Sequence, residues 1–169
     1  MALLPILQWP DAGLSTACAL VAPQEDLGTL IADMFQTMYA APGRGLAAPQ
    51  VGVLKRLFVM DATWKDGPGT PLVMINPEIL TFGAELATGD EGCLSIPGVM
   101  AAVLRPSTVT LRWQDEARYW QTGTFDGFAA RCIQHEYDHL DGLVTFDRLV
   151  PEARVEAEET YRRHLERPA

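Results

Sequence analysis

The spacing of apolar residues along the chain predicts two helices that each bury one face. Between Pro23 and Ala40 the apolar positions recur at helical spacing, and Pro23 suits a first helical turn. These positions are Leu27, Leu30, Ile31, Met34 and Met38. Between Asp126 and Leu140 two neighbouring stripes are predicted, the first with Phe128, Cys132, His135 and His139, the second with Ala129, Ile133, Glu136 and Leu140. Gly142 supplies the helix stop.

The pattern between Leu57 and Leu149 predicts mostly strands. The segments are LFVMDA, LVMINP, EILTFG and STVTLRW, and RYWQTGTF is expected to pair with STVTLRW across a turn near residues 115–117. Short connections favour antiparallel pairing. Residues 41–52, APGRGLAAPQVG, contain three glycines and two prolines and are expected to lack regular structure until about Val51. The predicted fold class is α+β, with antiparallel strands surrounding a central helix.

After Pro151 the sequence predicts a polar helix, EARVEAEETYRRHLE, with apolar points only at Val155, Tyr161 and Leu165. We expect this helix to pack loosely and to carry no chemistry. The chain has no internal repeat, low-complexity tract or interdomain linker. Residues 1–169 are therefore interpreted as a single domain, with residues 151–169 as its C-terminal helix.

Composition narrows the classes of function. The chain has 169 residues, of which 48% are hydrophobic and 21% charged, as in an ordinary globular protein. A net charge of -9 disfavours nucleic acid and anionic lipid as partners. Three scattered cysteines favour a reducing compartment, and the start of the chain has neither a signal-peptide nor a transit-peptide pattern. We expect no membrane span and a cytoplasmic location.

The stretch QHEYDHLDG, residues 134–142, is the first candidate for chemistry. His135 and His139 lie four positions apart, so on a helix both imidazoles can reach one metal ion, with Glu136 beside it as a proton acceptor. Two histidines on a helix face can also be purely structural. Catalytic sites of the zinc type use three protein ligands. Downstream, His164 or a carboxylate could complete the site; these carboxylates are Glu152, Glu156, Glu158 and Glu159.

Two upstream stretches offer further chemistry. Cys93, in EGCLS at residues 91–95, carries a sulfur that binds soft or borderline divalent metals well, although a lone cysteine is often a buried apolar thiol. In GRGLAAPQVG, residues 43–52, glycine and alanine let the backbone approach a ligand closely, and Gln50 offers an amide donor. Alone, this stretch could be only a tight turn.

Taken together, GRGLAAPQ at 43–50, EGCLS at 91–95 and QHEYDH at 134–139 resemble the three motifs of the peptide deformylase family, in the family's order and at about its spacing. The opening PILQWPDAGL is also similar to that family's start. The resemblance implies that Cys93, His135 and His139 bind the metal. It also implies Glu136 as general acid and base, with Gln50 and the backbone N–H of Leu94 as oxyanion donors. The implied metal is Fe²⁺, with Zn²⁺, Ni²⁺ or Co²⁺ as substitutes.

The implied reaction removes the formyl group from N-formylmethionyl peptides and from nascent chains, including those at the ribosome, and releases formate. Residues expected to contact the substrate are Arg44, Gly45, Gly92, Cys132 and Arg105. Arg44 and Arg131 stand where many family members have apolar residues. The Arg44 stem could line the pocket while its guanidinium reaches water, or it could change the side-chain preference. As a hypothesis, Glu91 or Asp138 orients a ligand histidine or pairs with Arg105.

The sequence is also compatible with two other classes of function. A zincin-type protease would cleave internal peptide bonds and would not need Cys93. A degenerate domain would bind metal or formylated peptide without turnover, but the sequence retains Glu136, Gln50 and all three expected ligands.

Overall fold

The computed structural model describes residues 1–168 and shows two antiparallel sheets and three α-helices. In chain order the elements are α1 (Gly28–Ala40), β1 (Gly45–Ala47), β2 (Leu57–Met60), β3 (Leu72–Phe82), β4 (Leu86–Cys93), β5 (Ile96–Pro106), β6 (Thr108–Gln114), β7 (Trp120–Asp126), α2 (Gly127–Leu140) and α3 (Pro151–Leu165). The larger sheet has the strand order β1-β2-β3-β6-β7, and β4 pairs with β5 in the smaller one. The α+β class with antiparallel strands is confirmed.

Strand β2 lies between two helices, and its sequence explains why. All four of its residues are buried, because successive side chains point to opposite faces and each face is covered. Phe58 and Met60 pack in the cluster that includes Ile133 of α2. Leu57 and Val59 pack in the cluster that includes α1. The sheet is therefore the middle layer, and it fixes where α2 stands.

Helix α2 occupies the predicted central position. Its buried residues Ala130, Cys132, Ile133 and Leu140 pack against the larger sheet. The helix ends as predicted, since Gly142 has φ +77, a conformation that side chains other than glycine rarely adopt. The local sequence therefore sets both the length and the buried face of this helix.

Helix α1 begins later than the pattern predicts, at Gly28 and not at Pro23. Side chains bind the preceding backbone, since Glu25 accepts from the Ala22 N–H and Asp26 from the Gly28 N–H. Such local bonds compete with helix formation and explain the later start. Leu27 precedes the helix but is buried, so the apolar pattern predicted its burial correctly.

Two predicted strands are one. LVMINP and EILTFG form the single strand β3, with a register shift between Ile75 and Glu78 and with Asn76 at φ 49. Pro77 has no N–H to donate to the neighbouring strand, and this missing bond accounts for the shift in register at this point. The strand nevertheless continues to Phe82. Regular structure also begins earlier in the glycine-rich segment than expected, because Gly45–Ala47 pairs with β2 as strand β1.

The pair β4–β5 was not predicted from the pattern. The inward side of β5 carries Ile96, Val99, Ala101, Val103 and Arg105. Its outward side carries the exposed apolar residues Met100 and Leu104, so apolar and polar positions do not alternate. This pair matters for function because it brings Cys93 to the end of β4, next to a two-residue turn.

The C-terminal helix α3 forms largely as predicted and packs against β5. Tyr161 is buried, and its hydroxyl donates to the Trp9 carbonyl at 2.8 Å. The other predicted apolar points, Val155 and Leu165, are exposed. Ala169, the last residue of the predicted C-terminal segment, lies outside the described residues. Within residues 1–168, no helix has the length and apolar character needed to cross a membrane.

Candidate metal centre

Three side chains from two parts of the chain meet at one point. The Sγ of Cys93 and ring nitrogens of His135 and His139 all lie within 4.8 Å of one another. Cys93 Sγ and His139 Nε2 are 3.5 Å apart. Ligand atoms that share an ion at about 2.0–2.3 Å lie roughly 3.3–3.7 Å apart in tetrahedral geometry. The Cys93–His139 pair already has this spacing, and the other pairs need to approach by at most about 1 Å to close on a metal.

The local structure explains the convergence. His135 and His139 are one turn apart on α2, and their rings stand 5.0 Å apart at 76°. Cys93 comes from the end of β4. Within residues 1–168, Cys93, His135 and His139 form the one cluster of three such donors, and His164 is not part of it because its ring packs against Gly98. The downstream alternatives for a third ligand are therefore not supported.

The donor set fits a divalent ion. One thiolate and two imidazoles suit borderline metals such as zinc, iron and nickel. Glu91 Oε1 lies 2.9 Å from His135 Nδ1, which leaves Nε2 as the ring nitrogen available to the ion. Burial lowers the pKa of His139 well below its ordinary value, which favours the neutral, ligating form of the ring.

Glu136 lies beside this cluster without belonging to it. It is buried, and its Oε2 has no hydrogen-bond partner among residues 1–168. Burial raises the pKa of Glu136 to about 7, with the nearby charge of His135 acting against the rise. Gly45 faces this carboxylate so closely that a Cβ at position 45 would lie 2.5 Å from Oε1. The space beside Glu136 therefore depends on glycine at position 45.

Gln50 points into the same space in a fixed orientation. Its Oε1 accepts from the Ala47 N–H at 2.9 Å, and its Nε2 donates to Ser95 Oγ at 3.0 Å. Nε2 also lies 3.8 Å from Cys93 Sγ, a long and weak bond whose hydrogen can turn to a better acceptor. Leu94 lies in the turn after Cys93 and lines the same cavity.

A network of ion pairs surrounds Glu91 and Asp138, and Glu91 connects it to His135. Arg105 donates to both oxygens of Glu91, at 2.6 and 2.9 Å, and to Asp138 at 3.0 Å. Arg131 adds a bond to Glu91 at 2.9 Å, and Arg148 binds Asp138. Burial alone would raise the pKa of Glu91, but bonds to His135 and Arg105 outweigh it and lower this pKa to about 2. Glu91 therefore stays ionised and can hold the His135 ring.

The residues expected to contact substrate fall into two groups. Arg44, Gly45, Gly92 and Cys132 line a cavity of about 610 Å³ that also reaches Cys93, His135 and Glu136. Arg105 does not line this cavity. It is buried and bound by Glu91 and Asp138, so the structure corrects the expectation of substrate contact and favours the ion-pairing role instead.

Sequence reasoning missed several contributors to the site. Ser95 fixes Gln50, and Arg148 completes the pairing of Asp138. The N-terminal segment also binds the backbone at Gln50 and at Ser95, since the Leu7 N–H donates to the Gln50 carbonyl at 2.7 Å and the Trp9 N–H to the Ser95 carbonyl at 2.9 Å. These contacts join residues far apart in sequence, and no local pattern signals them.

This fold and donor set define a class of metalloproteins in which an upstream cysteine completes a helical H-E-x-x-H pair. The family model of polypeptide deformylase matches residues 3–155. A peptide deformylase of Prochlorococcus marinus (strain AS9601) is 50% identical over 125 residues, which cover 74% of this chain and 62% of that relative. The peptide deformylase of Zymomonas mobilis is 47% identical over 154 residues, 88% of this chain and 87% of the relative.

A crystal structure of a peptide deformylase from Legionella pneumophila superposes with a TM-score of 0.89 at 38% identity and covers 99% of this chain and 100% of that one. The chain belongs to the polypeptide deformylase family, which is a family of metalloenzymes. It aligns with about three fifths of the length of the first cyanobacterial relatives that it matches, 62% in the relative described above.

Proposed function

We propose that this protein is a metal-dependent hydrolase that removes the formyl group from the N-terminal formylmethionine of newly made polypeptides and releases formate. The single observation that carries the proposal is the convergence of Cys93, His135 and His139 beside the buried carboxylate of Glu136. Membership of the polypeptide deformylase family supports the same activity.

Cys93, His135 and His139 would hold the metal, whose positive charge, when it is bound, would acidify a water molecule and polarise the formyl carbonyl. Glu136 takes a proton from the attacking water at its free carboxylate oxygen, Oε2. As oxygen adds to the formyl carbon, negative charge develops on the carbonyl oxygen. Glu136 then gives its proton to the leaving amine as the C–N bond breaks. The products are formate and a peptide with a free amino group.

Gln50 and the Leu94 N–H are proposed to stabilise the developing negative charge. The Gln50 amide is held by Ala47 and Ser95, so its donor faces the site before substrate arrives. A donor of this kind contributes on the order of 3 kcal/mol to the lowering of the barrier. Gly45 keeps the space beside Glu136 open, and a narrow site of this kind admits a formyl group more readily than a larger acyl group.

The decisive experiment measures formate released from formyl-Met-Ala-Ser by metal-loaded protein, with the Glu136→Gln variant beside it. We expect wild-type turnover and a loss of about 10²- to 10⁴-fold in the variant with the metal retained. Internal cleavage of peptides without formate release would favour the zincin-type protease. Binding of the peptide with no turnover would favour a domain that has lost catalysis.

We further propose Fe²⁺ as the physiological metal, with Zn²⁺, Ni²⁺ or Co²⁺ as substitutes, because a thiolate with two imidazoles accepts each of these ions. Iron on a thiolate is sensitive to oxidation. Protein purified without oxygen should therefore contain iron and lose activity in air, whereas nickel-loaded protein should keep it. Equal survival of the two forms in air would contradict the iron assignment.

We also propose that residues 1–169 act as a single catalytic domain in the cytoplasm on nascent chains, in part at the ribosome. Three free cysteines suit a reducing compartment. Cell fractionation should place the protein in the cytoplasmic fraction, and ribosomes carrying formylated nascent chains should be deformylated by it. Exclusive recovery of the protein from another fraction would contradict this location.

A further inference from the structure

One edge of the cavity is formed by two segments that contact each other through side chains. Residues 61–70, which we name the rim loop, follow β2 and lie against the glycine-rich segment before β1. Trp64 Nε1 donates to the Gly43 carbonyl, and Lys65 Nζ donates to the Pro42 carbonyl, both at 2.9 Å. Pro42, Gly43 and Lys65 all line the cavity that contains the metal ligands. The rim loop therefore contributes directly to the substrate-binding groove.

The side chain of Arg44 connects the rim loop to helix α2. Its NH1 donates to the Ala62 carbonyl at 2.6 Å and to Asp66 at 2.8 Å. Its guanidinium also lies over the ring of Phe128, 4.9 Å from the ring centre, and Phe128 belongs to the first turn of α2. One side chain thus joins the glycine-rich segment, the rim loop and the helix that carries the metal-binding histidines.

We propose that Arg44 is a positioning residue that fixes the rim loop and Phe128 as the outer wall of the substrate groove, and thereby sets substrate affinity. This inference rests on the proposed deformylase function. An apolar side chain at position 44 could pack on Phe128 but could not bind the Ala62 carbonyl or Asp66. Lysine could reach one acceptor, but it lacks the planar fork of donors and the flat face that stacks on an aromatic ring.

The two bonds from Arg44 are not equivalent. The Ala62 carbonyl belongs to a buried residue, whereas the Asp66 side chain is 71% exposed. A charge-assisted bond that is shielded from water is stronger than an ion pair exposed to it. The bond to Ala62 should therefore do most of the positioning, and removal of Asp66 alone should have a small effect.

The test compares Arg44→Ile, Arg44→Lys and Asp66→Asn with wild type. Arg112→Ile is the matched control, since Arg112 also binds a carboxylate (Glu78, 2.8 Å) and lies over an aromatic ring (Trp120, 4.8 Å), but on the larger sheet outside the cavity. Two quantities are measured on the metal-loaded protein. They are the amide hydrogen exchange of residues 61–70 and the kcat and KM for formyl-Met-Ala-Ser.

For Arg44→Ile we expect amide hydrogen exchange in the rim loop to be about tenfold faster than in wild type. The loop can then open without breaking a bond between residue 44 and the Ala62 carbonyl. KM should rise roughly fivefold with kcat within about twofold, the pattern that follows from lost uniform binding. Arg44→Lys should give an intermediate result, Asp66→Asn a smaller one, and Arg112→Ile none. If Arg44→Ile does not fold, Arg44→Lys decides by the same two measurements.

Unchanged loop exchange in the Arg44 variants would overturn the proposal, and so would faster exchange with unchanged KM. A change in preference among first side chains, with loop exchange unaltered, would show that Arg44 acts by direct contact and would also overturn it. A wild-type protein that binds metal but releases no formate would instead refute the proposed function. The two failures are therefore distinguishable.

Discussion

The inner side of the cavity, at His135 and Glu136, and its outer side, at Arg44 and Phe128, are held by different kinds of interaction. On the inner side, Glu91, His135 and Glu136 are 4–8% exposed, and Glu91 is bound by two arginines and a histidine. On the outer side, Phe128 is 50% exposed and the Arg44 side chain 24%. The inner side is fixed by shielded charges, whereas the outer side is fixed by fewer contacts, and among the bonds of Arg44 only the one to the Ala62 carbonyl is partly shielded from solvent.

This difference matches the two tasks of the site. The proposed metal ligands and the carboxylate proposed to transfer protons need a fixed geometry, and buried ion pairs with several bonds per group provide it. Under the proposed function, the outer wall must let a polypeptide enter and leave, so weaker contacts suit it. Changes on the inner side should accordingly have larger effects on metal binding and stability than changes on the outer side.

The largest effect is expected from Cys93→Ala, which removes one of the three proposed metal ligands. Affinity for a divalent ion should fall by at least about a hundredfold, because two imidazoles alone bind weakly. Metal analysis after dialysis measures this loss. Cys18→Ala is the control, since Cys18 is also buried but is not in the ligand cluster. Full metal retention in Cys93→Ala would refute the proposed site.

Arg105→Met should strongly lower the free energy of unfolding. The substitution leaves Glu91 and Asp138 buried with one arginine fewer each, and breaking a buried pair typically costs about 3 kcal/mol or more. Urea unfolding of the metal-free protein measures the change. Arg112→Met breaks an exposed pair and should leave the unfolding midpoint close to wild type. Equal midpoints for the two variants would contradict the contrast between buried and exposed pairs.

Glu91→Gln should weaken metal binding by about 10- to 100-fold, because the carboxylate that holds the His135 ring is lost. Asp138→Asn should have a smaller effect, since the Asp138 side chain binds Arg105 and Arg148 and, unlike Glu91, accepts no bond from a ligand ring among residues 1–168. Competition with a chromogenic chelator measures both affinities. If neither amide variant changes metal affinity, these acids do not orient the ligands.

The smallest effect concerns Tyr39, whose hydroxyl donates to Asp61 at 2.6 Å at the start of the rim loop. Burial, followed by the bond to Asp61, raises the pKa of Tyr39 to about 12. The folded pKa lies above the unfolded value, so this pair stabilises the fold below about pH 10, and the contribution is lost as pH rises through about 12. Ultraviolet titration of Asp61→Asn should show tyrosine ionisation at lower pH. An unaltered titration would show that Asp61 does not hold Tyr39.

The parts of the site that lie within one local segment could be predicted from the sequence. His135, Glu136 and His139 are placed by the helical repeat, and Gly142 ends that helix as its position predicts. The assignment of Cys93 as a ligand depended on family resemblance, because a single cysteine has no spacing to interpret. The predicted contact of Arg105 with substrate failed, because nothing local shows that two carboxylates face it.

The sequence by itself determined the central helix, the placement of His135, Glu136 and His139 on it, and the antiparallel strands around it, because these follow from repeats of 3.6 and 2 residues. Only the tertiary structure decided that β4 and β5 pair, that Arg105, Arg131 and Arg148 surround two buried acids, and that Arg44 binds the rim loop. Strand pairs and ion pairs join residues distant along the chain. Their energies depend on what packing places nearby and on how much water it removes, and neither quantity is a property of a local segment.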